Sequence, residues 1–145
     1  MRVSTKGRYA LRVMLDMAQH GNEGYISLSD IAQRQGISKN YLDQIMLILK
    51  KGQFFKAARG YQGGYKLAKA PDQYTVGQIL RVTEGSIMPV ACLDDCGEDC
   101  ARSDGCMAMQ VWAGLGKVMA DYLDHLTLQD ILERYGGSDK ISFNI

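Results

Sequence analysis

Residues 27–67 hold the pattern that most narrows the fold. Ser27-Leu28-Ser29-Asp30 has the form of a capped helix start. The short helix it opens stops at Gly36, a residue type suited to the left-handed position that ends helices. Ser38 can cap a second helix, which carries Leu42, Ile45, Met46 and Leu49 at i, i+3, i+4 and i+7. Two short helices joined by a tight, glycine-containing turn make a helix-turn-helix. Residues 54–58 and 64–67 then read as strands, with Arg59-Gly60-Tyr61-Gln62-Gly63 between them. That spacing predicts a β-hairpin with a glycine-rich tip. A helix-turn-helix followed by a short basic hairpin is a winged helix, so the predicted fold is mainly α with a small β wing.

The flanking segments extend this reading. A first helix is predicted over about residues 5–19, with Tyr9, Ala10, Val13, Met14, Met17 and Ala18 at helical spacing. Thr75-Val76-Gly77-Gln78 forms a second capping box, opening a helix that ends near Gly85. Residues 85–105 read as an irregular loop. A long helix follows over about residues 106–126. Its Ala108, Trp112, Leu115, Met119, Tyr122 and Leu126 are spaced 4, 3, 4, 3, 4, an a/d stripe. Such a stripe packs on its own chain or on a second copy. One long striped helix beyond a DNA-binding module favours a homodimer, through Trp112, Leu115, Met119, Tyr122 and Leu126. Gly114 and Gly116 each cost that helix about 1 kcal/mol against alanine, which close helix approach would explain. Residues 127–135 form a last short helix, ended by Gly136-Gly137. Four regions result: a winged helix-turn-helix DNA-binding domain over 1–84, a cysteine-rich sensor loop over 85–105, a dimerisation helix and short terminal helix over 106–137, and a tail over 138–145.

The charge is uneven along the chain. The net is only +1 over 145 residues. Residues 1–69, however, hold 12 Lys and Arg against 4 Asp and Glu, a net of +8. Residues 70–145 hold 5 against 12, a net of −7. A basic first half suits a polyanion such as nucleic acid. The longest charge-free stretch, residues 105–116, is 12 residues long, whereas a membrane span needs about 20 apolar residues. Arg2, Lys6, Arg8 and Arg12 interrupt any signal-peptide core, which predicts a cytoplasmic protein. His20 and His125 are the only histidines, and no Ser/His/Asp or nucleophile-elbow pattern accompanies them. The chain is therefore expected not to be an enzyme.

Several side chains are candidates for reading DNA. The outward face of the second helix of the helix-turn-helix offers Ser38, Lys39, Asn40, Tyr41, Asp43 and Gln44. Asn or Gln can pair bidentately with adenine, and a carboxylate can accept from cytosine N4. Ser38, Lys39 and Tyr41 sit at or near the helix N-terminus, where backbone N–H groups favour phosphate. Arg59 at the hairpin tip is placed to enter a minor groove, with Gly60 allowing close approach. Arg2, Lys6, Lys50, Lys51 and Lys56 would add sequence-independent phosphate contacts. The plain alternative is a solvated polar face.

These residues resemble a known family. The segment Met1-Arg2-Val3-Ser4-Thr5-Lys6-Gly7-Arg8-Tyr9-Ala10, the pairs Ile31-Ala32, Ile37-Ser38 and Tyr41-Leu42, Gln44, and Arg59-Gly60 followed by Gly63-Gly64-Tyr65 are similar to the IscR/CymR/NsrR family of bacterial winged-helix repressors. The resemblance covers essentially the whole chain. It implies a homodimer, a palindrome-like double-stranded operator, and base contacts from Asp43, Gln44 and Arg59. One departure is Gly52-Gln53, where relatives usually carry a residue followed by glycine.

All four cysteines, Cys92, Cys96, Cys100 and Cys106, fall within 15 residues. In a cytosolic protein such clustering favours metal or redox chemistry over a disulfide framework. The paired knuckles of structural zinc sites are only half matched, so zinc is the weaker expectation. Asp94, Asp95, Glu98, Asp99 and Asp104 surround the thiols and make a bound cation electrostatically favourable. A solvated acidic loop with incidental cysteines is the plain alternative. Cluster-binding members of the family carry three cysteines before the long helix. Cys92, Cys100 and Cys106 match them, so the resemblance implies a 2Fe–2S cluster. In one such member the fourth ligand is a histidine three residues after the last cysteine, and Met109 stands there. Cys96 is the candidate replacement. An all-thiolate site has a lower potential than one with histidine. Ordering the loop around a cluster could set the spacing of two recognition helices, since half-sites lie about 34–36 Å apart or multiples of that.

The chain ends Ile141-Ser142-Phe143-Asn144-Ile145. This tail resembles that of the cysteine-metabolism branch of the family, and the tails by which serine acetyltransferases insert into cysteine synthase. The chemistry is capture of a terminal carboxylate plus one apolar anchor, here Ile145. A disordered end, or a strand on a neighbour, is the alternative. The leading expectation is thus a DNA-binding repressor sensing iron–sulfur or redox status. One rival is a regulator of cysteine metabolism answering to a cysteine-synthase partner. A second, different in kind, is a small thiol-redox or electron-transfer protein, against which the basic half-chain argues.

Overall fold

Short-range capping sets most of the helix boundaries. The computed structural model describes residues 2–94, 100 and 102–136. Ser4 caps α1 (Thr5–His20) by accepting from Gly7 N. Ser27 caps α2 (Leu28–Gln35) by accepting from Asp30 N, and Gly36 ends it in the left-handed region at φ 62°. Ser38 accepts from Tyr41 N and opens α3 (Lys39–Lys51). Thr75 and Gln78 form a reciprocal capping box at α4 (Val76–Glu84). Thr127 and Asp130 do the same at α6 (Leu128–Tyr135). Between them lies α5 (Met107–His125), for which Cys106 is the N-cap residue. Single 3-10 turns occupy residues 21–23, 71–73, 91–93 and 103–105.

The wing is an antiparallel pair, β1 (Phe55–Ala58) with β2 (Gly64–Leu67), in the register Phe55↔Leu67 to Ala58↔Gly64. β1 starts one residue later than the hydrophobic run suggested. Gln53 takes φ 54°, a left-handed turn in a non-glycine residue, and Phe54 is buried in the core. Glycine at this position would avoid a strain of about 1 kcal/mol. Tyr74 then ties the wing to the body. Its hydroxyl donates to Phe54 O at 2.8 Å and accepts from Lys69 N at 2.8 Å. Burial pushes the Tyr74 phenol up from its ordinary pKa.

One core unites Met14 and Met17 of α1, Ile31 of α2, Leu42, Ile45 and Leu49 of α3, Ile79 of α4 and Leu128 of α6. Backbone bonds from Val76 N to Leu126 O and from Leu128 N to Tyr74 O bring the chain back to this body after α5. A smaller core holds Val76, Leu80 and Ile87, covered by Ala120, Leu123 and Leu126.

That arrangement bears on the end of the expected dimer stripe. α5 stops at His125, and Leu126 turns to an extended conformation with φ −95° and ψ 109°. Leu126 packs into its own chain's second core and leaves the stripe. Met119 is half-buried. Trp112, Leu115 and Tyr122 remain exposed, together with Met107, Val111 and Val118. No helix among the described residues is long and apolar enough to cross a membrane.

Candidate DNA interface and cysteine loop

The outward face of α3 carries Lys39, Asn40, Asp43 and Gln44, all exposed, with Ser38 at its N-cap. These lie together because Leu42, Ile45, Met46 and Leu49 take the opposite face into the core. Tyr41 is half-buried. It packs edge-on to Tyr9, with ring centroids 5.7 Å apart. The Arg12 guanidinium lies 5.0 Å over that Tyr9 ring and donates to Gln35 O at 2.5 Å. Tyr41 therefore helps to fix α3 on α1. Arg2 and Lys6 are exposed at the start of the chain, and Lys6 borders a cleft with Tyr41, Gln44 and Lys51.

The wing places Arg59 and Gly60 at an exposed tip. Gly60 has φ 108°, and its carbonyl accepts from Gly63 N at 3.0 Å. The wing's base is anchored on the segment before α2 by two bonds of 2.8 Å, Ile26 N to Tyr65 O and Tyr65 N to Ile26 O. Gly64 makes this possible, since any Cβ there would overlap Ile26 O. Two exposed residues beside these were not among the sequence candidates. Tyr61 stands fully exposed at the wing tip. Lys66 lies directly across the sheet from Lys56. A like-charged cross-strand pair is unfavourable alone and suits a surface that meets a polyanion.

Cys92 is exposed within the 3-10 turn over 91–93, Cys100 is exposed, and Cys106 is half-buried at the mouth of α5. All three are free thiols. The Cys106 side chain makes no capping bond. Among the described residues, no three His, Cys, Asp or Glu side chains are gathered as a metal site. Cys96, the tail over 138–145 and Ile145 lie outside the described residues.

The loop is nevertheless held at its base. The Ser86 hydroxyl donates to Asp94 and accepts from Met88 N. The strand of loop before Cys92 crosses α5 at Gly116, where a Cβ would sit 3.0 Å from the Met88 sulfur and 3.3 Å from Pro89 Cδ. Gly116 thus permits a close approach, of loop to helix. Two longer-range contacts that sequence patterns missed complete the junction. Glu84 accepts from Ser4 N at 3.2 Å and from Ser4 Oγ at 2.6 Å. Gly7 leaves the space that its carboxylate occupies. Arg81 forks onto Asp124 at 2.5 and 2.8 Å. The hydrogen bond from Arg81 holds the Asp124 carboxyl below its ordinary pKa, and Arg81 is raised in turn.

Residues 3–134 match the family described as "Rrf2: Iron-dependent Transcriptional regulator". The transcriptional regulator IscR of Erwinia tasmaniensis is 37% identical over 132 residues, covering 91% of this chain and 79% of the relative. The solved structure of CymR, the global cysteine regulator of B. subtilis, superposes with a TM-score of 0.77 at 36% identity, covering 92% of this chain and 98% of that one. IscR of T. potens superposes with a TM-score of 0.75 at 38% identity, covering 97% and 94%. With the winged helix, the exposed polar face of α3 and the junction in place, the chain belongs to the Rrf2 family and is a DNA-binding transcriptional regulator.

Proposed function

We propose that the protein is a cytoplasmic homodimeric repressor whose hold on operator DNA depends on a 2Fe–2S cluster. The observation that carries this reading is the position of three free thiols between the DNA-binding body and a helix with an exposed apolar stripe. Cys92, Cys100 and Cys106 would hold the cluster, with Cys96 as the candidate fourth ligand in place of the histidine that Met109 replaces. The donors fit in kind, being thiols that no disulfide or cap consumes. A bound cluster would supply an oxidant- and redox-sensitive link across the loop.

The chain's own residues do the rest. Asn40, Asp43 and Gln44 read base edges, Arg59 enters a minor groove, and Arg2, Lys6, Ser38, Lys39, Tyr41 and the wing lysines position the phosphates. Trp112, Leu115, Met119 and Tyr122 join the two copies. Ser86 and Asp94 close the base of the loop, and the crossing at Gly116 ties it to α5. Arg81–Asp124 ties α5 to α4, and Glu84–Ser4 ties α4 to the N-terminus of α1. A change in the loop therefore reaches both the dimer helix and the DNA-binding body.

Anaerobic purification with a visible spectrum and iron, sulfide and zinc counts tests the reading. About two irons and two sulfides per chain, lost in each of the Cys92→Ala, Cys100→Ala and Cys106→Ala variants, is expected. A colourless protein containing zinc would replace the cluster with a structural metal. A metal-free protein after reconstitution would favour the second reading, a regulator of cysteine metabolism that answers to a cysteine synthase through Ile145. The similarity to the cysteine regulator CymR supports that second reading.

A further inference from the structure

Leu47 is 66% exposed in the middle of the outward face of α3. It lies seven residues after Asn40, four after Asp43 and three after Gln44, so the four share one helical face. Lys50 and Lys51 follow on the next turn and are exposed. Side chains on a helix lean toward its N-terminus, so Leu47 leans onto the turn holding Asp43 and Gln44. From Lys39 to Leu47 the helix advances about 12 Å, roughly the width of a major groove.

Its surroundings are also apolar. Leu47 forms the ridge between two clefts. One is shared with Lys6, Tyr41, Ile48 and Lys51. The other is shared with Met46, Lys50, Phe55 and Tyr65. Each cleft is floored by carbon and bordered by lysine. Single exposed leucines are common on protein surfaces. This one stands where base-reading side chains must be, on a face that loses its water when DNA binds.

We propose that Leu47 reads thymine, by packing on a C5-methyl group in the operator's major groove. The methyl is the apolar group that base edges present there. Hydrogen-bonding residues cannot sense it, so Leu47 adds a kind of recognition that Asn40, Asp43 and Gln44 lack. The flanking lysines complement the phosphates on either side. The assignment rests on the DNA-binding reading, and the experiment separates the two.

The full-length protein first selects its operator from a randomised duplex pool. Failure to enrich any sequence counts against sequence-specific binding itself. Each thymine of the selected site is then replaced singly by uracil, which removes only the methyl. The wild type is expected to lose about 4-fold in affinity at one thymine per half-site. Leu47→Ala should bind the thymine operator about 4-fold more weakly and no longer distinguish thymine from uracil at that position. Leu47→Thr, which keeps a methyl, should retain part of the discrimination. Equal thymine-to-uracil ratios for wild type and Leu47→Ala at every position would overturn the proposal. So would an equal loss on non-specific DNA, which would assign Leu47 to the sugar–phosphate backbone. A changed oligomeric state in Leu47→Ala would assign it to a second copy of the chain instead.

Discussion

α3 and α5 both carry apolar residues at helical spacing, and the chain treats them differently. α3 buries Leu42, Ile45, Met46 and Leu49 against α1, α2 and α4. α5 is longer, yet Gly116 alone is buried along its 19 residues. Trp112 at 39%, Leu115 at 43% and Tyr122 at 63% exposure form one apolar stripe. An exposed apolar stripe of this kind marks an interaction surface. The difference teaches that periodicity reports only that a helix has a partner. Burial reports whether the partner lies in the same chain.

Truncation should therefore act on different observables in the two helices. Leu49→Ala empties a fully buried site and should cost about 2–5 kcal/mol of unfolding free energy, read from urea midpoints. The protein that remains folded should keep the wild-type oligomeric state. Leu115→Asp should do the reverse. Its site is exposed within one chain, so the protomer should stay folded, within about 0.5 kcal/mol. Light scattering should show a monomer, and operator affinity should fall about 100-fold as two linked half-site contacts become one. A Leu115→Asp protein that stays dimeric would place the second copy elsewhere and break the comparison.

The contact between α4 and α5 gives a smaller, pH-dependent effect. Arg81 lowers the Asp124 carboxyl below its ordinary 3.8, chiefly by hydrogen bonding and secondarily by charge. A depressed carboxylate pKa contributes stability that is complete above the unfolded value and is lost as pH falls through the folded one. Both side chains are about 40% exposed, so water screens the pair and its contribution is about 0.5 kcal/mol. Asp124→Asn should be less stable than wild type by about that amount at neutral pH. The difference should shrink as pH falls below the ordinary carboxylate value and through the depressed one. A gap that persists in acid would mean that shape, not charge, joins α5 to α4.

What the sequence made legible follows the range of the forces. Ser27, Gly36, Ser38 and Thr75 act on backbone groups within a few residues, so the helix ends could be read directly. The four-residue rhythm of α3 likewise identified its buried face, and by subtraction its exposed polar face. Glu84 and Ser4 are 80 positions apart and Arg81 and Asp124 are 43 apart. No local pattern announces either pair. The helix ends one residue short of Leu126: a heptad count carries on past the C-cap, whereas the backbone turns there. Cys106 could be located because it opens a helix. Cys92 and Cys100 lie in a loop without periodicity, which gives sequence reading no purchase on how their thiols are arranged.

The two glycines of α5 offer the finest discrimination between its faces. Gly114 has open space where a Cβ would go. Gly116 has the Met88 sulfur at 3.0 Å and Pro89 Cδ at 3.3 Å. In a helix interior alanine is favoured over glycine by about 0.8–1 kcal/mol. Gly114→Ala should therefore stabilise the protein by nearly that amount, visible as a raised melting temperature with dimerisation unchanged. Gly116→Ala gains the same propensity, but its methyl must displace Met88 and the loop strand leading to Cys92. Its net effect should be near zero or destabilising. Hydrogen exchange should quicken over residues 86–93 in that variant alone. If Gly114→Ala instead weakens the dimer, the two copies of α5 cross at Gly114, and the absence of a side chain there serves the partner helix as Gly116 serves the loop.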